Sequence, residues 1–320
     1  MQRLCSGTLD AKELRERALI ELRRTVPFDA HVWTLTDPVT RVGTSPLADI
    51  PGLSWPELPA LVRARYLSEG TRWTDLTGTC IATWRHTAEV LTAVFADRFG
   101  CWAWLDLWRT SGPPFTSGER DLIAAVVPAL TAALRKAQAR TFATAPSTAP
   151  PAAPAVLVLG ADLQVRVGTP AARDALHRLN PPDDPAVVEQ AIPAAAYNLA
   201  AALVAAENGV PVGPPWSRVH LGAGRWVTLR AARTAPDDGI AVTIEEATPA
   251  ERLEIFALAH GLTPREREVL AELVTGTDSR HLARRLVLSE HTVNDHIKAI
   301  LAKTGAPTRP TLLARVAGTG

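Results

Sequence analysis

Four short helical segments near the end of the chain constrain its fold more than any other feature of the sequence. The first opens with Thr263, Pro264 and Glu266, which supply an N-cap hydroxyl, a proline at the first helical position and a carboxylate three residues after the cap. Apolar residues then recur at helical spacing as far as Gly276, a residue type that readily takes the left-handed conformation found at helix ends. Asp278 can cap a second helix directly afterwards, so two consecutive helices separated by a tight break are predicted.

The third segment follows after a very short connection. Ser289 can cap it, and an inner face of Val293, Ile297 and Ile300 predicts a helix that continues to about Thr304. Two helices joined by so short a turn are typical of a helix-turn-helix.

The outward face of this third helix carries side chains that can read DNA. With the apolar residues turned inward, the candidates for base contacts are His291, Asn294, Asp295 and Lys298. In the major groove an asparagine can bond two atoms of adenine, an aspartate can accept from cytosine, and a lysine can reach guanine or a phosphate. The candidates for contacts with the DNA backbone lie on the flanks of the helix and are Thr292, His296 and Lys303. Polar outer faces are common on helices of all kinds, so a helical docking module for another protein is the alternative.

The order of residues in this region favours the DNA interpretation. The stretch contains L-T-P-R-E-R-E-V-L, L-S-E-H-T-V-N-D-H-I-K, A-K-T-G and R-P-T-L-L-A-R-V, and with these motifs it resembles the C-terminal DNA-binding domain of LuxR-type transcriptional regulators. The resemblance implies a four-helix domain at 258–320 that binds double-stranded DNA, with Ser289–Lys303 as the recognition helix. It also implies that a fourth helix, Arg309–Val316, pairs two subunits of a homodimer. The dimer contacts implied in this way are those of Leu312, Leu313 and Val316.

Two positions depart from the family pattern. His281 stands where an acidic residue is usual in the second helix, and we expect it to weaken the local cap. Asp295 places a carboxylate on the base-facing side, where it repels phosphate and requires a suitable base partner. The resemblance therefore implies no particular operator sequence.

The charge distribution also separates the end of the chain from the rest. The formal net charge is only +1, but from Gly276 onward seven Lys and Arg stand against three Asp and Glu, a local balance of +4. A basic region confined to one module is the electrostatic footprint of a nucleic-acid interface.

The first 140 residues contain helices and strands in mixed order. The predicted helices are 11–26, 57–68 and 86–99, and the predicted strands are 28–35, its hairpin partner 39–43, and 79–84, with a loop over 46–56. A strand C-W-A-W-L-D-L-W-R follows, then G-P-P-F-T and a capped helix from Gly118 to Arg140. With these segments, residues 1–140 resemble a GAF domain, which implies a six-stranded antiparallel sheet and a small-molecule pocket.

The tryptophan-rich strand supplies the candidate pocket residues. Alternation along a strand places three of its side chains on one face, namely Trp102, Trp104 and Asp106. Large aromatic side chains also fill ordinary cores, so both interpretations are open. A buried carboxylate needs a partner, and we expect Arg109 to form a salt bridge with Asp106, a ligand group being the alternative.

The remaining residues complete the domain plan. Residues 141–154 are rich in proline and alanine and are predicted to be a linker. Two strands, helices and three further strands give residues 155–247 a resemblance to a PAS domain, and 248–257 form a connector. The predicted fold class is therefore α+β, with GAF-like and then PAS-like antiparallel sheets and helices, followed by an all-α four-helix helix-turn-helix domain.

The number of cysteines and the length of the apolar runs narrow the classes of protein to which this chain can belong. Three cysteines are too few for a disulfide framework or a closed zinc site, so we expect a reducing cytoplasm, no metal and no cofactor. We find no apolar run long enough to cross a membrane. Cys80 and Cys101 leave one enzymatic alternative, a cysteine-based GAF reductase with an appended regulator. The prediction is a cytoplasmic transcriptional regulator, not an enzyme, whose N-terminal domains respond to an unidentified small molecule or partner.

Overall fold

The chain folds into two antiparallel sheets, one after the other, and ends in a group of short helices. A computed structural model describes residues 2–68, 72–84, 88–143, 153–180, 193–235 and 239–318. The strands of the first unit are β1 Ala30–Thr36, β2 Gly43–Asp49, β3 Thr79–Trp84, β4 Ala88–Asp97 and β5 Gly100–Arg109. Its helices are α1 Gln2–Ser6, α2 Ala11–Thr25, α3 Leu58–Leu67 and α4 Ser117–Arg140, with a short 3-10 helix at Trp55–Glu57.

The first sheet has the strand order β2-β1-β5-β4-β3, with all neighbours antiparallel. Strand β5 lies at its centre because its side chains are apolar on both faces. Leu105 and Leu107 belong to the core that α2 and α4 cover, while Trp104 packs on the opposite side with Tyr66 of α3. The predicted capping box of Thr116 and Glu119 starts α4.

The second unit repeats this arrangement of five strands. Its strands are β6 Ala155–Leu159, β7 Val165–Gly168, β8 Trp216–His220, β9 Trp226–Arg233 and β10 Ile240–Glu246, and its helices are α5 Pro170–Leu179 and α6 Ala194–Glu207. The order is β7-β6-β10-β9-β8, again antiparallel throughout. The C-terminal helices are α7 Pro249–Ala259, α8 Pro264–Val274, α9 Ser279–Arg285, α10 Glu290–Thr304 and α11 Arg309–Ala317. An α+β region followed by an all-α region is therefore confirmed.

Helix α6 joins the two units. Eight of its fourteen residues are alanine, so neighbouring elements can approach its axis closely. It contacts α3 and β2 of the first unit as well as β9 and β10 of the second. Tyr66 donates its hydroxyl hydrogen to Asn198 Oδ1 across this contact at 3.2 Å. One apolar core consequently extends from the tryptophan-rich strand to the second sheet.

A buried ion-pair network forms a second connection. Arg218 of β8 and Asp37, in the turn after β1, are both fully buried, with Nε and Oδ2 2.8 Å apart. Arg218 also reaches Glu254 of α7, whose carboxylate is half-exposed, at 2.6 Å. Burial alone lowers the pKa of Arg218, but the hydrogen bond and charge of Asp37 outweigh it and raise the pKa above its usual value. These three residues therefore hold the first unit, the second unit and the connector helix together.

Several predictions for the first unit were wrong. The predicted helix 86–99 is strand β4 over its described residues, because an apolar run this short fits a strand buried on both faces as well as a helix. The hairpin partner of β1 is β2, not 39–43, and β2 takes up part of the predicted loop. Pro46 is tolerated in β2 because this strand lies at the sheet edge. The described residues form five strands in this sheet, where the GAF resemblance implied six.

Helix α4 has the length and composition of a segment that could cross a membrane, which the sequence reasoning did not recognise. In this fold, α4 lies over the first sheet and buries Ile123, Leu130 and Leu134 in the core. This packing accounts for its apolar composition. Most of the predicted linker 141–154 lies outside the described residues.

Candidate nucleic-acid interface

The helix-turn-helix begins with the predicted capping box. Thr263 Oγ1 accepts from the backbone N–H of Glu266, and the Glu266 carboxylate accepts from the backbone N–H of Thr263. Lys303 Nζ donates to both carboxylate oxygens of Glu266, at 2.8 and 2.7 Å. Burial works against the charged carboxylate, but the Lys303 ammonium and the Thr263 hydrogen bonds outweigh it and lower the pKa of Glu266. The end of α10 is thereby tied to the start of α8.

Helix α9 is capped more firmly than the sequence suggested. Asp278 Oδ1 accepts from the backbone N–H of His281 at 2.8 Å, and Asp278 Oδ2 lies 2.7 Å from His281 Nδ1. These hydrogen bonds lower the pKa of the Asp278 carboxyl. The expectation that His281 weakens the cap was wrong, because its imidazole adds a second contact with the capping residue.

The turn between α9 and α10 contains a strained residue. Val287 has φ 54° and its side chain is 90% exposed. The left-handed region is costly for a β-branched side chain, which has close contacts there that glycine and asparagine avoid. The strain lies in the segment that sets the angle between the two helices.

We expect Val287→Asn to raise the free energy of unfolding by about 1 kcal/mol, because asparagine accepts positive φ and no buried contact is lost. Urea denaturation of the full chain measures the change. The matched control is Val165→Asn on β7, where an exposed valine has ordinary strand geometry and no gain is expected. Equal effects at the two positions would contradict the assignment of strain to Val287.

Helix α10 exposes all four residues predicted to read bases. Ser289 Oγ accepts from the backbone N–H of Thr292 at 3.0 Å, which starts the helix where the sequence predicted. Its inner face is buried and consists of Val293, Ile297 and Ile300. The exposed outer face carries His291, Asn294, Asp295 and Lys298. Because the side chains of His291 and Lys298 are 86% and 76% exposed, this face is free to enter a groove.

The carboxylate on this face has two basic neighbours. His291 Nε2 lies 3.4 Å from Asp295, and Lys298 Nζ lies 3.6 Å from it. Exposed ion pairs of this kind contribute little to stability, so the three side chains can separate to contact DNA. In this arrangement the ammonium group of Lys298 partly offsets the negative charge of Asp295.

The flanking candidates differ in accessibility. Thr292 and His296 are half-buried, and the Thr292 hydroxyl lies 2.8 Å from that of Ser289 within the cap. Lys303 is held by Glu266 and would have to leave that ion pair to reach a phosphate. Sequence reasoning missed Arg280 and Arg284 of α9, both of which are exposed. The first helix of a helix-turn-helix crosses the DNA backbone, so the local excess of arginine was the available signal.

Helix α11 does not present the implied dimer face. Leu312 and Val316 are buried within the chain, at 0% and 1% exposure, and only Leu313 remains partly exposed. Arg252 of α7 donates to the backbone carbonyls of Val316 and Arg315 and to that of Gly224 beside β9. Helices α7 and α8 pack against α11, so a dimer contact through Leu312 and Val316 would require α11 to leave this packing.

The candidate pocket residues of the first unit do not share one face. A β-bulge between Phe95 and Ala96 makes Trp102 an extra residue on β5. Trp102 therefore lies in the core beneath α2 and α4, and its Nε1 donates to Asp97 at 3.1 Å. Trp104 lies in the other core, stacked on Trp73 with ring centroids 4.4 Å apart.

Asp106 is fully buried, but its partner is not the predicted one. Arg65 Nη2 donates to Asp106 Oδ1 at 2.8 Å, Trp73 Nε1 donates to Oδ2 at 3.0 Å, and Thr92 Oγ1 donates to Oδ1 at 2.6 Å. Arg109 pairs with Glu119 at the start of α4 instead. The sequence could not indicate Arg65, because it lies on a helix 41 residues away from Asp106.

Comparison with known proteins identifies the C-terminal region. Residues 260–316 match the family model described as bacterial regulatory proteins, luxR family. A search of curated proteins found no match for this chain.

Solved structures give only distant similarity. The chain is 13% identical to SdiA in complex with octanoyl-rac-glycerol, with 99% of this chain and 91% of that chain covered at a TM-score of 0.33. For a second structure, of Escherichia coli SdiA, the identity is 13%, the coverage 99% and 94%, and the TM-score 0.33. The E. coli DhaR(N)-DhaL complex gives 12% identity, 73% and 88% coverage and a TM-score of 0.20. Residues 260–316 are a helix-turn-helix domain of the luxR family of bacterial regulatory proteins.

Proposed function

We propose that this chain is a cytoplasmic, sequence-specific DNA-binding transcriptional regulator that reads double-stranded DNA with α10. The observation that carries the proposal is the exposed polar face of α10 on a helix whose opposite side is completely packed. In helix-turn-helix proteins the second helix lies in the major groove and its N-terminal residues contact base edges. His291, Asn294, Asp295 and Lys298 are the base-reading residues in this proposal, and Thr292, His296 and Lys303 contact the backbone.

The experiment that tests this function uses the full chain and DNA selected from a random-sequence pool. Binding should be sequence-specific and should weaken steeply with salt, because neutralised phosphates release counterions. Lys298→Ala should lower the affinity, whereas Lys136→Ala, a matched change of an exposed lysine on α4, should not. A folded chain that selects no sequence and shows no salt-dependent binding would refute the proposal.

We expect Asn294→Ala to cost about 1–3 kcal/mol at the selected site, because a bidentate contact with a base is lost. Binding to a scrambled duplex should change little, since Asn294 is assigned to bases and not to phosphates. Fluorescence anisotropy with the two duplexes separates these effects. An equal loss on both duplexes would remove Asn294 from the base-reading set.

Two features support a sensory role for the part ahead of the helix-turn-helix. The second unit has two strands, helices and three further strands, and the first unit ends with the tryptophan-rich strand, a loop and α4, which are the segments that the PAS-like and GAF-like resemblances used. Arg218 of the second unit pairs with Asp37 of the first unit and with Glu254 of α7. Arg252 of α7 donates to the backbone carbonyls of Gly224 in the second unit and Val316 in α11, so a change in either unit can reach α7 and α11. In this proposal a small molecule or partner acts on these units.

Hydrogen-exchange protection of α6 and α7 with and without candidate effectors tests the coupling, and unchanged protection with every bound effector would reject it.

Trp104 and Asp106 remain the proposed ligand-contacting residues of the first unit, although no ligand has free access to them in this arrangement. Asp106 already accepts from Arg65, Trp73 and Thr92, and α3 and α6 contribute to the core over this face. A ligand there would have to displace these contacts. Tryptophan fluorescence measures ligand binding by its quenching. If the ligand still quenches the fluorescence of Trp104→Phe and Asp106→Asn variants, the ligand binds elsewhere.

We also propose that the regulator binds DNA as a homodimer, since symmetric regulators read two half-sites about one helical turn apart. Leu313 is the implied contact residue that stays accessible. Sedimentation of the complex with a paired site tests this, and a single subunit bound to that site would contradict it.

The reductase alternative has little support from the thiols. Cys80 is half-buried and Cys101 is buried, and burial raises the pKa of both thiols. A raised pKa lowers the thiolate fraction on which nucleophilic attack depends. Loss of methionine sulfoxide with a thiol reductant present would nevertheless restore this alternative.

A further inference from the structure

One of the four residues proposed to read bases is acidic. Among His291, Asn294, Asp295 and Lys298, only Asp295 carries a carboxylate, and its side chain is 54% exposed. Phosphate repels a carboxylate, so a face that enters the major groove accommodates this residue best where a base supplies a donor. The amino groups that bases present in that groove are cytosine N4 and adenine N6.

The ammonium group of Lys298 lies beside this carboxylate. Lys298 follows Asp295 by three residues, which places the two side chains on one face of the helix. Lys298 Nζ is 3.6 Å from Asp295 Oδ1, and the ring of His291, one turn earlier, is 3.4 Å from Oδ2. A hydrogen-bond acceptor and a donor therefore stand side by side on the exposed face, a little more than one hydrogen-bond length apart.

A G·C base pair presents the complementary pattern. In the major groove guanine offers two acceptors, O6 and N7, and cytosine offers the N4 donor. Guanine O6 and cytosine N4 are about 2.9 Å apart, because a base-pair hydrogen bond joins them. An ammonium group over guanine and a carboxylate over the cytosine amino group therefore fit one base pair without moving far from each other.

An A·T pair fits the same two side chains less well. It also offers a donor, adenine N6, beside an acceptor, thymine O4, but adenine N7 and the thymine methyl group flank them. A carboxylate at N6 would lie next to the N7 acceptor, and an ammonium group at O4 would lie next to the methyl group. The lysine would also lose the second acceptor that guanine provides. The two charges together consequently favour G·C.

We propose that Asp295 and Lys298 form a reading pair for one G·C base pair, in which Asp295 accepts from cytosine N4 and Lys298 donates to guanine O6 and N7. The reading pair rests on the proposed function of α10, and it adds the identity of one base pair in the bound sequence. It also fixes the orientation of that base pair, because the cytosine lies under the residue nearer the start of α10.

The full chain and a sequence selected from a random DNA pool provide the first test. The selected site should contain a G·C position where A·T or C·G weakens binding by about tenfold. Asp295→Ala should reduce this preference severalfold and leave the preferences at other positions unchanged. On a scrambled duplex the same variant should bind slightly more tightly, because a charge that repels phosphate has been removed. The matched control is Asp174→Ala, which removes an exposed carboxylate from α5 and should leave every base preference unchanged.

Modified bases at that position test the two contacts separately. N4-methylcytosine still pairs with guanine but places a methyl group where Asp295 accepts, so it should weaken binding of the unaltered chain by about tenfold and binding of Asp295→Ala much less. 7-Deazaguanine lacks N7 and should weaken the unaltered chain more than Lys298→Met. Hypoxanthine opposite cytosine keeps the major-groove edge of G·C, so as the control it should bind about as well as guanine.

Fluorescence anisotropy measures each affinity, and circular dichroism verifies that each variant is folded. Three results would overturn the reading pair while the proposed function stands: sequence-specific binding whose base preferences all survive Asp295→Ala, selection of A·T at the position that depends on Asp295, or equal weakening of both chains by N4-methylcytosine. A folded chain that selects no sequence would refute the proposed function and the reading pair together.

Discussion

Asp37→Ala is expected to lower the free energy of unfolding by about 3–5 kcal/mol, because it removes the carboxylate from a fully buried ion pair with Arg218. The same carboxylate accepts from three backbone N–H groups, those of Val39, Thr40 and Arg218. Glu254 remains near Arg218, but its carboxylate is half-exposed and contacts a different guanidinium nitrogen. Chemical denaturation of the full chain measures the loss.

Two comparisons sharpen this experiment. Asp162→Ala removes a carboxylate from an exposed pair with Arg166, where a loss of about 1 kcal/mol or less is expected. Asp37→Asn keeps one acceptor oxygen, which can still serve the N–H groups of Val39 and Thr40, but it removes the charge and turns an amide donor toward the donors of Arg218. Its cost should therefore lie between those of the two alanine variants. If Asp37→Ala costs no more than Asp162→Ala, the buried network does not join the two units as the structure indicates.

Asp106→Ala is expected to cost a similar amount, about 3–5 kcal/mol, for a related reason. Asp106 is fully buried and accepts from Arg65, Trp73 and Thr92. All three are side-chain donors, which lose a shared acceptor in the middle of the tryptophan-rich core. Denaturation of Asp106→Ala, with the exposed Asp121→Ala as control, measures the effect.

The two buried pairs should respond differently to apolar replacement. A buried ion pair can often be exchanged for apolar residues of similar volume with little loss of stability. The triple change Arg65→Met, Thr92→Val and Asp106→Leu should therefore recover part of the stability lost in Asp106→Ala, because it removes two of the three donors and leaves only Trp73 Nε1 without its acceptor. No such replacement is expected to work at Asp37, because its carboxylate also satisfies backbone N–H groups. Failure of the triple change to improve on Asp106→Ala would contradict this distinction.

The ends of the C-terminal helices could be predicted because their signals are local. The capping box of Thr263 and Glu266, and the caps at Asp278 and Ser289, lie within a few residues of the N–H groups they satisfy. The outward position of Asn294 and Lys298 followed from helical spacing in the same way. In the first unit the spacing signal was weaker, since a run as short as 88–97 fits a buried strand and a buried helix equally.

Contacts between distant parts of the chain had no local signal. Arg65, the ion-pair partner of Asp106, is 41 residues away from it, and Arg218, the ion-pair partner of Asp37, is 181 residues away from it. The bulge that turns Trp102 away from Trp104 depends on how β4 pairs with β5. The burial of Leu312 and Val316 depends on the packing of α7 and α8 against α11.

By itself the sequence determined the C-terminal module, because capping, helical spacing and motif order are properties of neighbouring residues. It also determined which face of α10 is polar. Only the tertiary structure decided that α6 joins the two sheets, that Lys303 is held by Glu266, and that α11 packs against the connector helix. These features depend on which apolar faces and buried charges pack against each other in the folded chain. The two members of each contact lie far apart in the sequence.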